Sequence, residues 1–197
     1  MTIDTRERLI ESAIELVLTS GYNATGVKEL CQHAQVQKGS FYHFFPSKRD
    51  LVIEALNRQW ERQTLLLLDP VFSEPIPPLD RIVKMFEVVA AHQARLKQTY
   101  GHVCGCPFGT LAQELSIHDE PVRDKLTTIF HHWAGYIERA LAEAVAIGDL
   151  PPMSISQNAQ AILSYLQGLM LMAKTHNDPY LIQRFASTAR SIAQNTA

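Results

Sequence analysis

Apolar residues at Leu9, Ile10, Ala13, Ile14 and Val17 recur at the i, i+3, i+4 spacing of one helix face, and Gly21 ends the pattern. Asp4 and Glu7 stand where a reciprocal cap would open this helix. A short helix is predicted over about 27 to 34, with Thr25 as its cap and Leu30 on its buried side. Gln35 to Gln37 breaks it, a second short helix follows over about 38 to 44, and Pro46 enforces a stop. Two short helices so closely spaced make a helix-turn-helix unit.

Ser47, with Asp50 three residues on, restarts the helix, which runs through LVIEALNRQWERQTLLLL to Asp69-Pro70. The stretch DPVFSEPIPP holds four of the ten prolines and reads as a connection. Five more helices are predicted, over about 79 to 99, 107 to 116, 120 to 147, 155 to 175 and 179 to 195. Asp119, Ser154 facing Gln157, and Asp178 before Pro179 mark three of the starts. β-branched runs of period two are absent, so the fold class is all-α, with about nine helices. Ile162, Leu166, Leu169, Met170 and Ala173 form a stripe too extensive for a lone surface helix. Ile182, Phe185, Ala189 and Ile192 form another, and part of each is expected to face a partner copy, which Gly168 would let approach closely.

Composition changes this picture little. Hydrophobic residues make up 46% and charged residues 19% of the 197, the balance of a chain that folds around its own core. No run reaches the ~18 apolar residues of a membrane span, and the N-terminus lacks the pattern of a signal peptide, so a cytoplasmic protein with no membrane partner is expected. Cys31, Cys104 and Cys106 are too few and too unevenly placed for a disulfide framework. The net charge of −2 does not announce a nucleic-acid partner, and residues 1–50 hold six Lys/Arg against six Asp/Glu. A DNA reading therefore rests on where the basic groups point.

Residues 36–51, VQKGSFYHFFPSKRDL, resemble the second half of the DNA-binding signature of tetracycline-repressor (TetR) type regulators, and the match spans residues 5–56. The resemblance implies a three-helix DNA-binding domain over 1–50, an effector-sensing and dimerisation domain over 51–197, and a homodimer whose last two helices pair with their twins. A recognition helix needs small or long polar groups at its groove-facing end. Gln37, Lys38, Gly39 and Ser40 meet that need and are the candidates for reading bases. Tyr42 and His43 project as phosphate contacts; Lys48 joins them because the family motif places it at DNA, and Thr25 and Gly26 are given the same role at the second helix. Phe41, Phe44 and Phe45 read as packing, Phe44 above all, and Arg49 as an ordinary solvated group.

The segment HVCGCPFGTLAQEL (102–115) resembles a Gly-Cys-Pro-x-Gly stretch of one subgroup of the family. Three roles are open to Cys106: a small buried side chain in a tight turn, a thiol that reacts with oxidants or electrophiles, or a ligand with His102, Cys104 and His118 of zinc or copper. The turn is favoured and the metal is last, so no metal or other cofactor enters the expected function. Phe86, Tyr100, Phe108, Phe130, Trp133 and Tyr136 are the candidate lining of a pocket for a small-molecule effector, neutral or aromatic rather than multiply charged.

No nucleophile elbow, phosphate-cradling glycine loop or His-Glu-x-x-His pair is present, so an enzyme is not expected. The function expected is a repressor released from a palindromic operator by a small molecule or a thiol-reactive signal. An activator, or an adaptor that has lost DNA contact, is the alternative.

Overall fold

The computed structural model describes residues 4–194. Among them every regular element is helical, as the periodicity predicts, and the chain forms two compact units that interleave along the sequence. The first comprises the described residues up to Arg62 together with Pro107–Thr128, and the second comprises Gln63–Cys106 and Ile129 onward. The helix at 107–115 is grouped with the N-terminal helices, against the first of which it packs.

The first unit contains α1 (Thr5–Ser20), α2 (Val27–His33), α3 (Lys38–Phe44), α4 (Lys48–Gln63, whose last residue belongs to the second unit), α7 (Pro107–Leu115) and the start of α8 (Glu120–Ala146). Leu9, Ile10, Ala13 and Val17 are buried together with Leu30 of α2, Phe41 of α3 and Leu51, Val52, Ala55 and Leu56 of α4. Phe108, Leu111 and Leu115 add the inner face of α7, and the Phe108 ring meets Trp60 edge-on at 6.1 Å. The second unit contains α5 (Asp69–Phe72), α6 (Pro78–Tyr100), the rest of α8, α9 (Ile155–His176), α10 (Tyr180–Arg184) and α11 (Thr188–Gln194). A π-helical stretch, Thr64–Leu68, joins α4 to α5 and leaves Leu65 and Leu66 exposed. The sequence pattern predicts an ordinary helix there, since a widened turn leaves no periodic signature.

Several local expectations are corrected. Asp4 makes no side-chain cap at α1, where Glu7 is held by Arg58. Thr25 does not cap α2: Gly26 is the N-cap, and the Thr25 hydroxyl donates back to the Gly21 carbonyl at 3.1 Å. Ser154 makes no side-chain cap either. Ser47 and Asp119 do cap their helices, accepting the Asp50 and Val122 amides at 3.2 Å each. The single last helix expected over 179–195 breaks between α10 and α11 at Phe185–Ser187. The apolar stripe of α9 is buried within the chain itself, and so are Ile182 and Ala189. Leu171, Met172, Tyr180 and Phe185 are the large apolar groups left exposed on these helices.

Gly21 occupies φ 97°, ψ 158°, a region that side-chain-bearing residues rarely enter, and a Cβ there would lie 2.4 Å from Glu114 Oε1. Gly21→Ala should therefore cost about 1–3 kcal/mol, with Tm falling by about 2–4 °C per kcal/mol in a chain of this size. Thermal melting followed by circular dichroism checks this; a native Tm in the variant would show that the turn relaxes without cost.

Candidate nucleic-acid interface and sensor segment

Phe41 and Phe45 are buried and Phe44 is half-buried, so packing claims Phe41 and Phe45 more completely than Phe44. With Phe41 turned inward, the rest of α3 is turned out: Gln37, Lys38, Gly39, Tyr42 and His43 are exposed and Ser40 is half-buried. A Cβ at Gly39 would meet nothing within 4 Å, which leaves the backbone of the first turn accessible. Tyr42 is 50% exposed, with its ring against the edge of Phe41 at 5.1 Å and the Lys38 ammonium 5.9 Å from its centre. Gly26 is also exposed, and beside it lies the exposed Lys28, a cation of α2 that its i+2 position after Gly26 could have signalled.

Thr25 and Lys48 stand differently. Thr25 is 1% exposed, and its hydroxyl is spent on the Gly21 carbonyl. The Lys48 ammonium donates to the Tyr22 carbonyl at 2.9 Å and the Thr25 carbonyl at 3.0 Å, and lies 3.6 Å from the centre of the Tyr22 ring. Burial lowers the Lys48 pKa, opposed by the Glu114 carboxylate. Burial also raises the Tyr22 phenol, helped by Asp119. Glu114 Oε2 in turn accepts the Asn23 amide at 3.1 Å, and Arg49 lies 3.8 Å from Asp119. Arg49, expected to be merely solvated, thus pairs with the cap of α8. Residues 21–25 form a turn clamped by side chains from α4 and α7, and neither clamp is deducible from local sequence.

In the second unit, residues 103–106 are all buried and free of disulfides. Gln93 of α6, 1% exposed, binds both polar groups of one residue: its Oε1 accepts the Gly105 amide at 2.8 Å, and its Nε2 donates to the Gly105 carbonyl at 3.0 Å. Asn177, in the left-handed conformation after α9, accepts the Val103 amide at 2.9 Å through Oδ1. Gly105 itself has φ +75°, and a Cβ there would press on the Lys174 side chain at 3.1 Å. Burial raises the Cys104 thiol, and the Lys174 charge opposes the rise. Cys106 is the last residue of the second unit before the chain enters α7. Among the described residues no group of three or more His, Cys, Asp or Glu is placed to hold a metal ion; His102 and His118 are exposed.

The six aromatic residues expected to line one pocket do not form one set. Phe108 belongs to the first unit, Tyr100 is exposed at the end of α6, and Phe130 is half-buried. Phe86 and Trp133 are buried, with the Trp133 indole donating to Met85 Sδ at 3.3 Å and Phe86 lying 5.9 Å from Tyr165. The Tyr136 hydroxyl donates to Asp69, while Arg139 stacks on the ring at 4.4 Å. Burial and the Asp69 carboxylate push that phenol up to about 12.

The family model "Bacterial regulatory proteins, tetR family" matches residues 9–55, and "Tetracyclin repressor-like, C-terminal domain" matches residues 78–189. The transcriptional regulator AcuR of Cereibacter sphaeroides is 30% identical over 190 residues, covering 92% of this chain and 82% of AcuR. The repressor NemR of Escherichia coli is 32% identical over 125 residues, 62% of this chain and 60% of NemR. The crystal structure of the reduced form of E. coli NemR superposes with a TM-score of 0.80 at 26% identity, covering 98% of this chain and all of that one.

The inward-facing ammonium carries a prediction. Lys48→Met should lower Tm by about 2–6 °C, by loss of about 1–2 kcal/mol of charge-assisted hydrogen bonding. DNA affinity should fall with its salt dependence unchanged, because no phosphate contact is removed. A flattened salt slope at native Tm would instead put the ammonium on a phosphate.

Proposed function

Because this chain belongs to the TetR family of bacterial transcriptional regulators, whose members bind DNA through an N-terminal helix-turn-helix, we propose that it is a repressor acting as a cytoplasmic homodimer on a palindromic operator. The observation that carries the DNA reading is the exposed run Gln37–Lys38–Gly39, with Ser40 half-buried behind it, on a helix anchored by the buried Phe41 and Phe45. Gln37 and Lys38 read base edges, Gly39 admits close approach, and Ser40, Tyr42, His43 and Gly26 meet base or backbone. Thr25 and Lys48 act one step back, holding the turn that presents α2. The repressor assignment leans on the names of two relatives, NemR and the repressor DhaR of Mycobacterium, the latter 25% identical over 184 residues.

The second unit supplies the dimer and the sensor. Leu171, Met172, Tyr180 and Phe185 are exposed apolar groups on α9 and just beyond it, and Gly168 has open space above it. Such a set suits an isologous contact with a second copy. No described helix is long and apolar enough to cross a membrane. The effector is a small molecule that the second unit binds. A thiol-reactive signal at Cys106 is the second reading, favoured by the way Gln93 and Asn177 hold the Val103–Cys106 segment at the point where the chain passes into α7.

Footprinting on the DNA beside the protein's own gene tests the main reading. A palindrome protected by two heads is expected, with Gln37→Ala relaxing discrimination at one or two base pairs per half-site by about 1–3 kcal/mol. Protection without symmetry, or none, would overturn it, and a site placed to recruit polymerase would mean an activator.

The thiol reading has its own test. A Michael acceptor should lower operator affinity of the native protein and of Cys31→Ser, while Cys106→Ser should keep DNA binding and lose the response. Equal sensitivity in Cys106→Ser leaves Cys106 as packing.

A further inference from the structure

The first unit keeps strict accounts of its arginines, with one exception. Arg6 pairs with Glu54 at 2.8 Å, Arg58 with Glu7, Arg62 with Glu11, Arg49 with Asp119 at 3.8 Å and Arg123 with Glu120 at 3.2 Å. Arg8 has no carboxylate within ion-pair distance among the described residues. Its Nη2 donates to Thr5 Oγ1 at 3.2 Å and its Nη1 makes a long contact of 3.4 Å to the Gln35 carbonyl. Its Nε is buried and has no hydrogen-bond partner among the described residues. A guanidinium held only by a hydroxyl and a long carbonyl contact, while every other one in the unit has a carboxylate, calls for an explanation beyond packing.

The surroundings indicate what it serves. Arg8 lines a cavity of about 210 Å³ with Glu11, Ser12, His33, Ala34 and Gln35. The volume admits a phosphate group with accompanying water. Glu11, the acid of the cavity wall, is already held bidentate by Arg62, and Glu15 lies 3.5 Å from His33 Nε2. His33 Nδ1 and Ser12 Oγ bond each other at 3.0 Å and add polar groups to the wall. Gln35, in the left-handed conformation at φ 55°, makes the bend between α2 and α3, two residues before the recognition helix begins at Gln37–Lys38. The charge therefore stands beside the groove-reading end of α3.

We propose that Arg8 and this cavity receive a phosphodiester of the operator backbone next to the bases read by α3. The guanidinium fork donates to the phosphate oxygens and fixes the register of the recognition helix. The inference rests on the DNA-binding reading and extends it to Arg8 of α1.

The test uses the full-length protein, a duplex from beside its own gene and a scrambled duplex of equal composition, with affinity measured by fluorescence anisotropy across a salt series. Arg8→Gln should weaken both duplexes alike, by about tenfold for each head, the loss typical of a hydrogen bond to a charged group. The slope of log K against log salt should become less negative by about 0.9 per head. Arg8→Lys, which keeps the charge, should retain the native slope. If Arg8→Gln melts early, Arg8→Met takes its place.

Equal slopes in the neutral and the Lys variants overturn the proposal. A loss confined to the matched duplex overturns it too, since that is base readout. Titration with inorganic phosphate alone separates a free anion site from the DNA backbone: saturable binding abolished in Arg8→Gln, with duplex slopes unchanged, would also overturn it.

Discussion

The hold of the Lys48 ammonium on the turn between α1 and α2 is the interaction on which the reading unit depends. Residues 21–25 satisfy only part of their own backbone: the Tyr22 carbonyl accepts the Thr25 amide at 3.3 Å and the Gly21 carbonyl accepts the Thr25 hydroxyl, while Gly21 is held at positive φ. Buried backbone groups require partners. The other partners arrive from far along the chain, as the ammonium of Lys48 for two carbonyls and the carboxylate of Glu114 for the Asn23 amide. The Tyr22 ring closes over the cation and excludes water from it. α2 starts directly from this turn, so its direction, and through the four-residue bend that of α3, is set by charges 26 and 91 residues away.

A second consequence concerns charge. The near-neutral balance of the first fifty residues gives no hint of a DNA-binding face, yet the acids are not spread evenly. Glu7, Glu11 and Glu54 are used along the seam between α1 and α4, each against an arginine. These pairs are part-exposed, so each contributes only about 0–1 kcal/mol to stability. Each pair neutralises one acid and one arginine, so the pairs leave the balance of the unit unchanged and decide only where unpaired charge stands. Among the described residues of the first fifty, Lys28, Lys38, Lys48 and Arg8 make no ion pair, and neither do Asp4, Glu29 and Asp50. Net charge is a poor guide here because pairing, and not composition, decides which charges act at a distance.

The helices were legible because their signals are local. The i, i+3, i+4 face of α1, the Ser47 and Asp119 caps and the Pro46 stop each act within a turn of the residues that announce them, and the structure has them where periodicity put them. Thr25 was misread for a physical reason: a hydroxyl before a helix can accept from the helix or donate backward, and the positive φ of Gly21 turns that carbonyl toward it. Ser154 shows the same ambiguity. α7 was legible as a helix but not as a member of the first unit, since nothing in PFGTLAQEL tells Phe108 to meet Trp60 and not the aromatics of α8. The motif brought the exposed residues of α3 to view, while Arg8 became visible only once every other arginine of the first unit had a partner.

The Val103–Cys106 segment is buried without being part of a helix. Its amides at Val103 and Gly105 are satisfied by Asn177 and Gln93, not by a repeating ladder, so its order depends on two side chains. A helix resists local change because each bond is reinforced by the next, whereas a segment held at two points is released when either fails. The segment is also tightly filled, with Lys174 lying against Gly105. Enlarging a buried side chain there, as modification of a thiol would, meets close packing. One peptide bond separates Cys106 from α7, and α7 carries the Glu114 carboxylate that holds the α1–α2 turn. In the thiol reading, a change at Cys106 thus has a covalent path along the backbone into α7.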